Sequence, residues 1–408
     1  MLEDVHRREW ARLVASLARR FGLDVAEEAA SEAFLAAVEH WQDGPPPNPG
    51  GWLMTTASRK AIDRVRRDSL REQKYAAAAL FGTAHASQDP VADAAAQDDG
   101  ADSLEDDRLR LMFTCCHPAL SADARVSLTL RLVGGLTVEQ IARGLLETEA
   151  AVGQRITRAK AKIAAARIPY RIPERADLPE RVDAVLSVLY LIFNEGYLPG
   201  GDETLRPDLT AEAIRLTRLL SELLPQSHEP AGLLALMLLT DARRASRVSA
   251  DGELVTLIEQ DRGSWDSALV EEGHAIVREL IASGEPPGRY QLEAAINAVH
   301  THARDVRDTD WEQLSHLYDH LFAVHPSPVV ALNRAVVRAE LDGPRVALAE
   351  VDQLDLRGYH AWHATRADLL RRLGRSSEAR SAYDAAIASA ANPAEIKYLR
   401  RRQASLGS

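Results

Sequence analysis

Residues 137–163 read TVEQIARGLLETEAAVGQRITRAKAKI, and their spacing predicts two short helices joined by a tight turn. Val138, Ile141, Ala142 and Leu145 recur at i, i+3, i+4 and i+7, and Val152, Ile156, Ala159 and Ile163 repeat the stripe. Two amphipathic helices therefore share one small core. Thr137 with Gln140 three residues on is a capping-box start, and Thr148 is placed to accept from the free N–H groups of the second helix. Away from its apolar stripe the second helix carries Gln154, Arg155, Arg158 and Lys162, whose donors suit the base edges and phosphates of a major groove. The turn holds Leu145-Leu146-Glu147-Thr148 where many such units have Gly, so the register of base contacts is open by one residue. A solvated basic helix in an all-α protein would give the same pattern, and a second signal has to decide.

Residues 52–71 supply it. Ala57, Ala61, Ile62 and Val65 occupy one half of a helical wheel, and Arg59, Lys60, Arg64, Arg66, Arg67 and Arg71 the other. Such a face neutralises phosphate strongly but without regard to sequence. Asp63 lies within it and is expected to orient a neighbour such as Arg59 or Arg67. The preceding GPPPNPGG, residues 44–51, is expected to be a non-helical loop that presents Trp52, because proline lacks a donor and restricts the residue before it. Trp52 next to Leu53 also suits plain packing.

The stretch DVAEEAASEAFLAAVEHW (residues 24–41), then NPGGWLMTTASRKAIDRVRRD (residues 48–68), then the paired helices, resembles a bacterial RNA polymerase sigma factor of the extracytoplasmic-function group. The run FTCCHP at residues 113–118 and a long helical tail from about residue 172 resemble the subgroup with a C-terminal tetratricopeptide-like extension. The resemblance implies an all-α chain: region 2 over residues 1–71, a flexible acidic linker over 72–103, a region 4 helix-turn-helix over 104–168 and the extension over 169–408. It implies that Glu27, Glu28, Glu32 and Phe34 dock on the clamp of the polymerase largest subunit. It also implies that Asn48 and Trp52 lie in the loop capturing a base flipped from the −10 element, with Arg59, Lys60, Arg64, Arg66 and Arg67 beside that element. Gln154, Arg155, Arg158 and Lys162 would then read the −35 element, in a domain that also meets the flap of the second-largest subunit. In the related subgroup the extension is needed for function and replaces a separate inhibitor, which implies contact between the extension and the sigma domains. Read from the residues alone, Glu27, Glu28 and Glu32 are also what a solvated face near a helix N-terminus would carry.

The net charge of −11 is segregated: acid concentrates at DPVADAAAQDDGADSLEDD, residues 89–107, and base on the two helices above. That acidic, Ala-rich stretch has few large apolar residues and reads as a tether. No apolar run approaches the roughly 20 residues of a membrane span, and residues 1–20 lack a signal-peptide core, so a cytoplasmic location without membrane association is expected. Cys115 and Cys116 are the only cysteines and are adjacent; with no second pair for zinc they read as buried thiols before Pro118. His117, His300, His302, His360 and His363 show no ligand spacing, and Glu195 in NEGY has no acid-base partner, so neither cofactor nor catalysis is expected. In the tail, Pro/Gly breaks separate amphipathic segments, and Ala367, Gly374, Ala379, Tyr383 and Ala386 fall at the spacing of a tetratricopeptide hairpin. The competing reading is a stand-alone helix-turn-helix regulator with a ligand- or protein-sensing helical tail.

Overall fold

A computed structural model describes residues 2–42, 44–79, 101–145, 147–197, 207–249, 251–303, 305–390 and 392–407. Among them the chain is helical, with one isolated antiparallel bridge, Val248 to Leu254, and no strand. It divides into two compact units, Met1–Leu191 and Ile192–Ser408.

The first unit opens with α1 (Leu2–Phe21), α2 (Leu23–His40) and α3 (Pro49–Ala79). Gly22 separates the first two with φ 81°, a left-handed conformation that costs glycine little. Trp10, Leu13, Val14 and Leu17 form the buried stripe of α1, and α2 meets it with Ala26, Ala29, Ala30, Ala33 and Ala37, small side chains that let helices approach closely. Leu53, Ala57 and Ala61 of α3 close this core, while Ile62 and Val65 are only half-buried.

The proline-rich loop is shorter than its sequence suggests. Pro49, Gly50 and Gly51 lie inside the first turn of α3, because a proline at the first helical position loses no hydrogen bond there. Asn48 caps that turn, its Oδ1 accepting from Gly51 N at 3.0 Å. The other end also differs: α3 runs past Arg71 to Ala79, through the good helix formers Glu72, Gln73, Lys74 and Ala76. The remainder of the expected acidic tether, residues 80–100, lies outside the described residues.

A second set follows: α4 (Ala101–Cys115), α5 (Ala122–Leu132), α6 (Val138–Leu145) and α7 (Glu149–Ala165). Ser127, Leu128, Thr129, Leu130 and Leu132 of α5 are all buried, so this short helix is the hub against which the others pack. The capping box forms as the spacing demands, Thr137 N donating to Gln140 Oε1 at 2.8 Å and Gln140 N to Thr137 Oγ1 at 3.1 Å. The sequence assigns the two helical sets to separate domains; the structure packs them into one unit, with α4 lying along α1. Tyr170 adds to that seam, its hydroxyl donating to Ala15 O at 2.8 Å.

α8 (Leu178–Tyr197) contains the division between the units, which therefore falls later than residue 168. The NEGY segment ends this helix with Tyr197 buried beneath the Arg247 guanidinium, 4.3 Å from the ring centre. That is a packing role, as the sequence suggests; the following residues 198–206 are outside the described part.

The second unit comprises α9 (Pro207–Leu223), α10 (His228–Asp241), α11 (Ser267–Ala282), α12 (Arg289–His302), α13 (Trp311–Val324), α14 (Pro328–Leu341), α15 (Pro344–Val351), α16 (His360–Arg372), α17 (Ser376–Ser389) and α18 (Pro393–Ala404). α10 is apolar all round, Leu233 to Leu239 being buried without a break, and sits among α9, α11 and α12. Close crossings set its neighbours: a Cβ on Gly232 would stand 2.7 Å from Gln291 N, and one on Gly273 2.6 Å from Leu239 Cγ. Farther along, α14 to α17 form two successive helical hairpins. Gly343 (φ 86°) and Gly374 (φ 71°) turn them, and Ala367, Ala379, Tyr383 and Ala386 are buried in their core.

Candidate nucleic-acid interface

Thr148 caps α7 as expected, its Oγ1 accepting from Ala151 N at 3.2 Å. Val152, Ile156, Ala159 and Ile163 are buried, and this fixes which side of α7 faces outward. Gln154, Arg158 and Lys162 are exposed there, and Arg158 Nη2 donates to Gln154 Oε1 at 3.2 Å. They border a cleft of about 460 Å³ between α7 and the start of α5, with Leu120 and Ala124 at its base. Arg155 differs from the other three. Its guanidinium makes two bonds to the Glu147 carboxylate, at 2.9 and 2.5 Å, and a third to Ser127 Oγ at 3.2 Å. The bonds to Glu147 raise its pKa, so the cation is stapled across the turn instead of extending outward.

On α3, Arg59, Arg66 and Arg67 are exposed. Lys60 lies 3.5 Å from Glu32, and Arg64 is paired with Glu28 and approaches Asp68 at 3.8 Å. Two of the cations expected beside the −10 element thus neutralise two of the glutamates expected on the clamp, across the groove between α2 and α3. The contact between Asp63 and Arg67 is made by the backbone carbonyl of Asp63, at 3.3 Å from Nε. Trp52 is half-buried with its ring 5.3 Å from Trp41 and 6.0 Å from His40, so it wedges the end of α2 against the start of α3. Asn48 remains exposed while serving as a cap.

The four residues expected to meet polymerase separate into two pairs. Glu28 is exposed and Glu32 half-exposed. Phe34 is buried, its ring 4.6 Å from His6 and 6.0 Å from Trp10, because it falls on the alanine side of α2. Glu27 is buried too, and its place as a solvated docking residue is corrected here. Its Oε1 accepts from Arg131 Nε at 2.5 Å, and its Oε2 pairs with Lys160. Burial alone would raise this carboxyl, but Lys160 and Arg131 outweigh burial and hold it below its ordinary value.

Around Glu27 the two helical sets are joined by a small network. Lys160 also stands 3.1 Å from Asp24, Arg131 Nη1 donates to Leu136 O at 2.8 Å, and Trp10 Nε1 donates to Arg131 O at 3.2 Å. Gly135 permits the approach: at φ 77°, a Cβ there would stand 2.8 Å from the Trp10 ring. Sequence reasoning missed Lys160 and Arg131. It also missed Leu35 and Val38, large apolar residues left 65% and 59% exposed in the turns of α2 that follow Glu28 and Glu32. An apolar patch rimmed by carboxylates is the composition of a protein-docking surface, and the i, i+3 spacing of Leu35 and Val38 could have pointed to it.

Cys115 and Cys116 are fully buried free thiols; burial pushes both up, Cys116 to about 11, so neither is a ready nucleophile. Among the described residues no group of His, Cys, Asp or Glu could hold a metal, and no helix is long and apolar enough to cross a membrane.

The Sigma-70 region 2 family matches residues 7–71, the Sigma-70 region 4 family matches residues 110–163, and a family of unknown function, DUF6596, matches residues 181–281. An uncharacterized protein of Rhizobium meliloti is 45% identical over 95% of this chain and 91% of its own length. The ECF RNA polymerase sigma factor SigK of Mycobacterium ulcerans is 33% identical over 33% of this chain and 66% of its own length. No solved structure matches. The chain belongs to the extracytoplasmic-function sigma factors of RNA polymerase, non-catalytic transcription initiation factors that bind DNA, and carries a helical C-terminal extension.

Proposed function

We propose that this protein directs core RNA polymerase to a specific set of promoters and that its helical extension controls that activity in the cytoplasm. The observation that carries the reading is the pair of cationic surfaces in family order: exposed Arg59, Arg66 and Arg67 on α3, and exposed Gln154, Arg158 and Lys162 on α7. In this reading α3 lies along the −10 element, with Asn48 and Trp52 at the start of the helix, and α7 enters the major groove of the −35 element. Glu28, Glu32, Leu35 and Val38 meet the clamp of the largest subunit, and the second helical set meets the flap of the second-largest subunit. The network at Glu27 holds the two DNA-binding sets together in the free protein, and polymerase separates them on binding. Arg155 contributes by fixing the turn.

Run-off transcription with core enzyme tests this, using the full chain and a chain ending at Leu191. Promoter-specific transcripts that need the added protein, and that change in amount when the extension is absent, are expected. Tight duplex binding by the free protein with no effect of core enzyme would replace this reading with a stand-alone regulator. Equal transcription by both chains would remove the controlling role of the extension.

A further inference from the structure

Within the second unit, the turn at Arg262–Ser264, α11 and the end of α12 border an open cleft of about 550 Å³, a size that accepts a small organic molecule. Its lining is unusual for a chain of net charge −11: Arg262, Arg278, His274 and His302 face it, against one acid, Glu271. Trp265 and Val270 supply an apolar wall.

The wall is fixed. Arg262 Nη1 donates to His300 O at 2.5 Å and Ala303 O at 2.6 Å, covering carbonyls at the end of α12 that would otherwise repel an anion. The guanidinium also lies 5.0 Å over the Trp265 ring, and Trp265 Nε1 donates to Ser246 Oγ at 3.0 Å. Asp305 and Asp308 act on Arg262, although Asp305 is itself engaged by Arg307. His274 is oriented as well. When Thr301 Oγ1 gives its single proton to Asn297 O, 2.9 Å away, it accepts from His274 Nε2–H, also at 2.9 Å. Nδ1 of His274 is then the acceptor nitrogen in the neutral ring, and protonation turns it into a second donor.

We infer that this cleft binds a small organic oxyanion, a phosphate or carboxylate group carried on a compact apolar body. The oxyanion faces Arg278, His274 and His302, and the body lies along Trp265 and Val270. Burial chiefly, and then the nearby His302 and Arg278, lowers the His274 pKa, so part of the cost of charging this ring is repulsion that a counter-charge would relieve. An anion supplies that charge, so binding should draw a proton onto His274 and strengthen on acidification. Glu271, exposed at the edge of the cleft, is the one acid among its lining residues. The inference concerns a site in the extension and does not depend on the sigma role.

Calorimetric titration of the full chain with phenyl phosphate and with benzoate tests it. Binding of either supports the site, and the preferred probe identifies the oxyanion. Affinity should fall about tenfold or more in Arg278→Gln and should rise from about pH 8 to about pH 6. Arg278 is exposed, so this variant keeps its fold; His274→Gln should flatten the pH dependence, and the imidazole resonance of His274 should titrate at higher pH in the liganded chain. Absence of heat with both probes overturns the proposal. So does binding that Arg278→Gln and His274→Gln leave unchanged.

Discussion

Glu27 stands between two cations that are as enclosed as itself: its side chain is 11% exposed, that of Lys160 11% and that of Arg131 16%. A carboxylate in that position is worth most when its absence would strand the others. Glu27→Gln should therefore destabilise the full chain by about 3 kcal/mol, read from urea unfolding, because the shielded Arg131 loses its carboxylate and Lys160 keeps only the exposed Asp24. An unchanged midpoint would mean that solvent screens the network. The same group sets an acid limit. Its folded pKa lies below the ordinary 4.5, so its contribution is complete above that value and fades as pH falls through the folded pKa. Amide protection in α2 and α7, relative to the intrinsic exchange rate at each pH, should fall together on acidification below about pH 4.5 in the native chain and should already be low in Glu27→Gln. At the DNA surface, Arg158 is exposed and bonded only to the neutral Gln154 amide among the contacts described, where Arg155 is stapled to a carboxylate. Arg158→Ala should weaken discrimination among upstream elements, whereas Arg66→Ala should weaken all sequences alike and reduce the salt slope by about one. Equal losses on every sequence from both changes would contradict the assignment.

For the helices, local spacing was a sufficient guide wherever the deciding contact is local. The Thr148 cap, the Thr137–Gln140 box and the stripe through Val152, Ile156, Ala159 and Ile163 each depend on residues within one or two turns, and each formed where the sequence put it. Thr148→Ala should cost about 1 kcal/mol of stability, measurable by thermal unfolding, since it removes an acceptor and leaves an N–H at the helix start. Where the deciding partner is distant, the sequence was silent. Glu27 meets Arg131 and Lys160 across separations of 104 and 133 residues, and no helical wheel contains that information. Phe34 was misplaced for the same reason: it is near enough to the acidic face of α2 to be grouped with it, yet the rings of His6 and Trp10 on α1 cover it. The boundary errors have a propensity cause. Proline at the start of α3 is tolerated, and Glu, Gln, Lys and Ala beyond Arg71 keep the helix going.

At the scale of the first unit, α1 packs against α4 and α5, and Asp24 and Glu27 of α2 pair with Lys160 of α7; on the proposed reading, with α3 at one promoter element and α7 at the other, these contacts part when both surfaces engage DNA. Asp24 and Lys160 offer a means to test it, for they face one another at 3.1 Å and lie outside both exposed cationic surfaces. In a chain carrying Asp24→Cys and Lys160→Cys, a short bis-maleimide linker with a reducible centre should join the two positions. The native thiols do not compete, because Cys115 and Cys116 are buried and their pKa values are raised. The joined chain should lose run-off transcription with core polymerase while keeping its helicity, and reduction of the linker should restore the transcript. The unlinked double variant is the control for the lost ion pair, and it should transcribe at least as well as the native chain since the closed form is weakened. If the joined chain transcribes as well as the reduced one, the two helical sets work without parting, and the network at Glu27 is a structural seam of the active form.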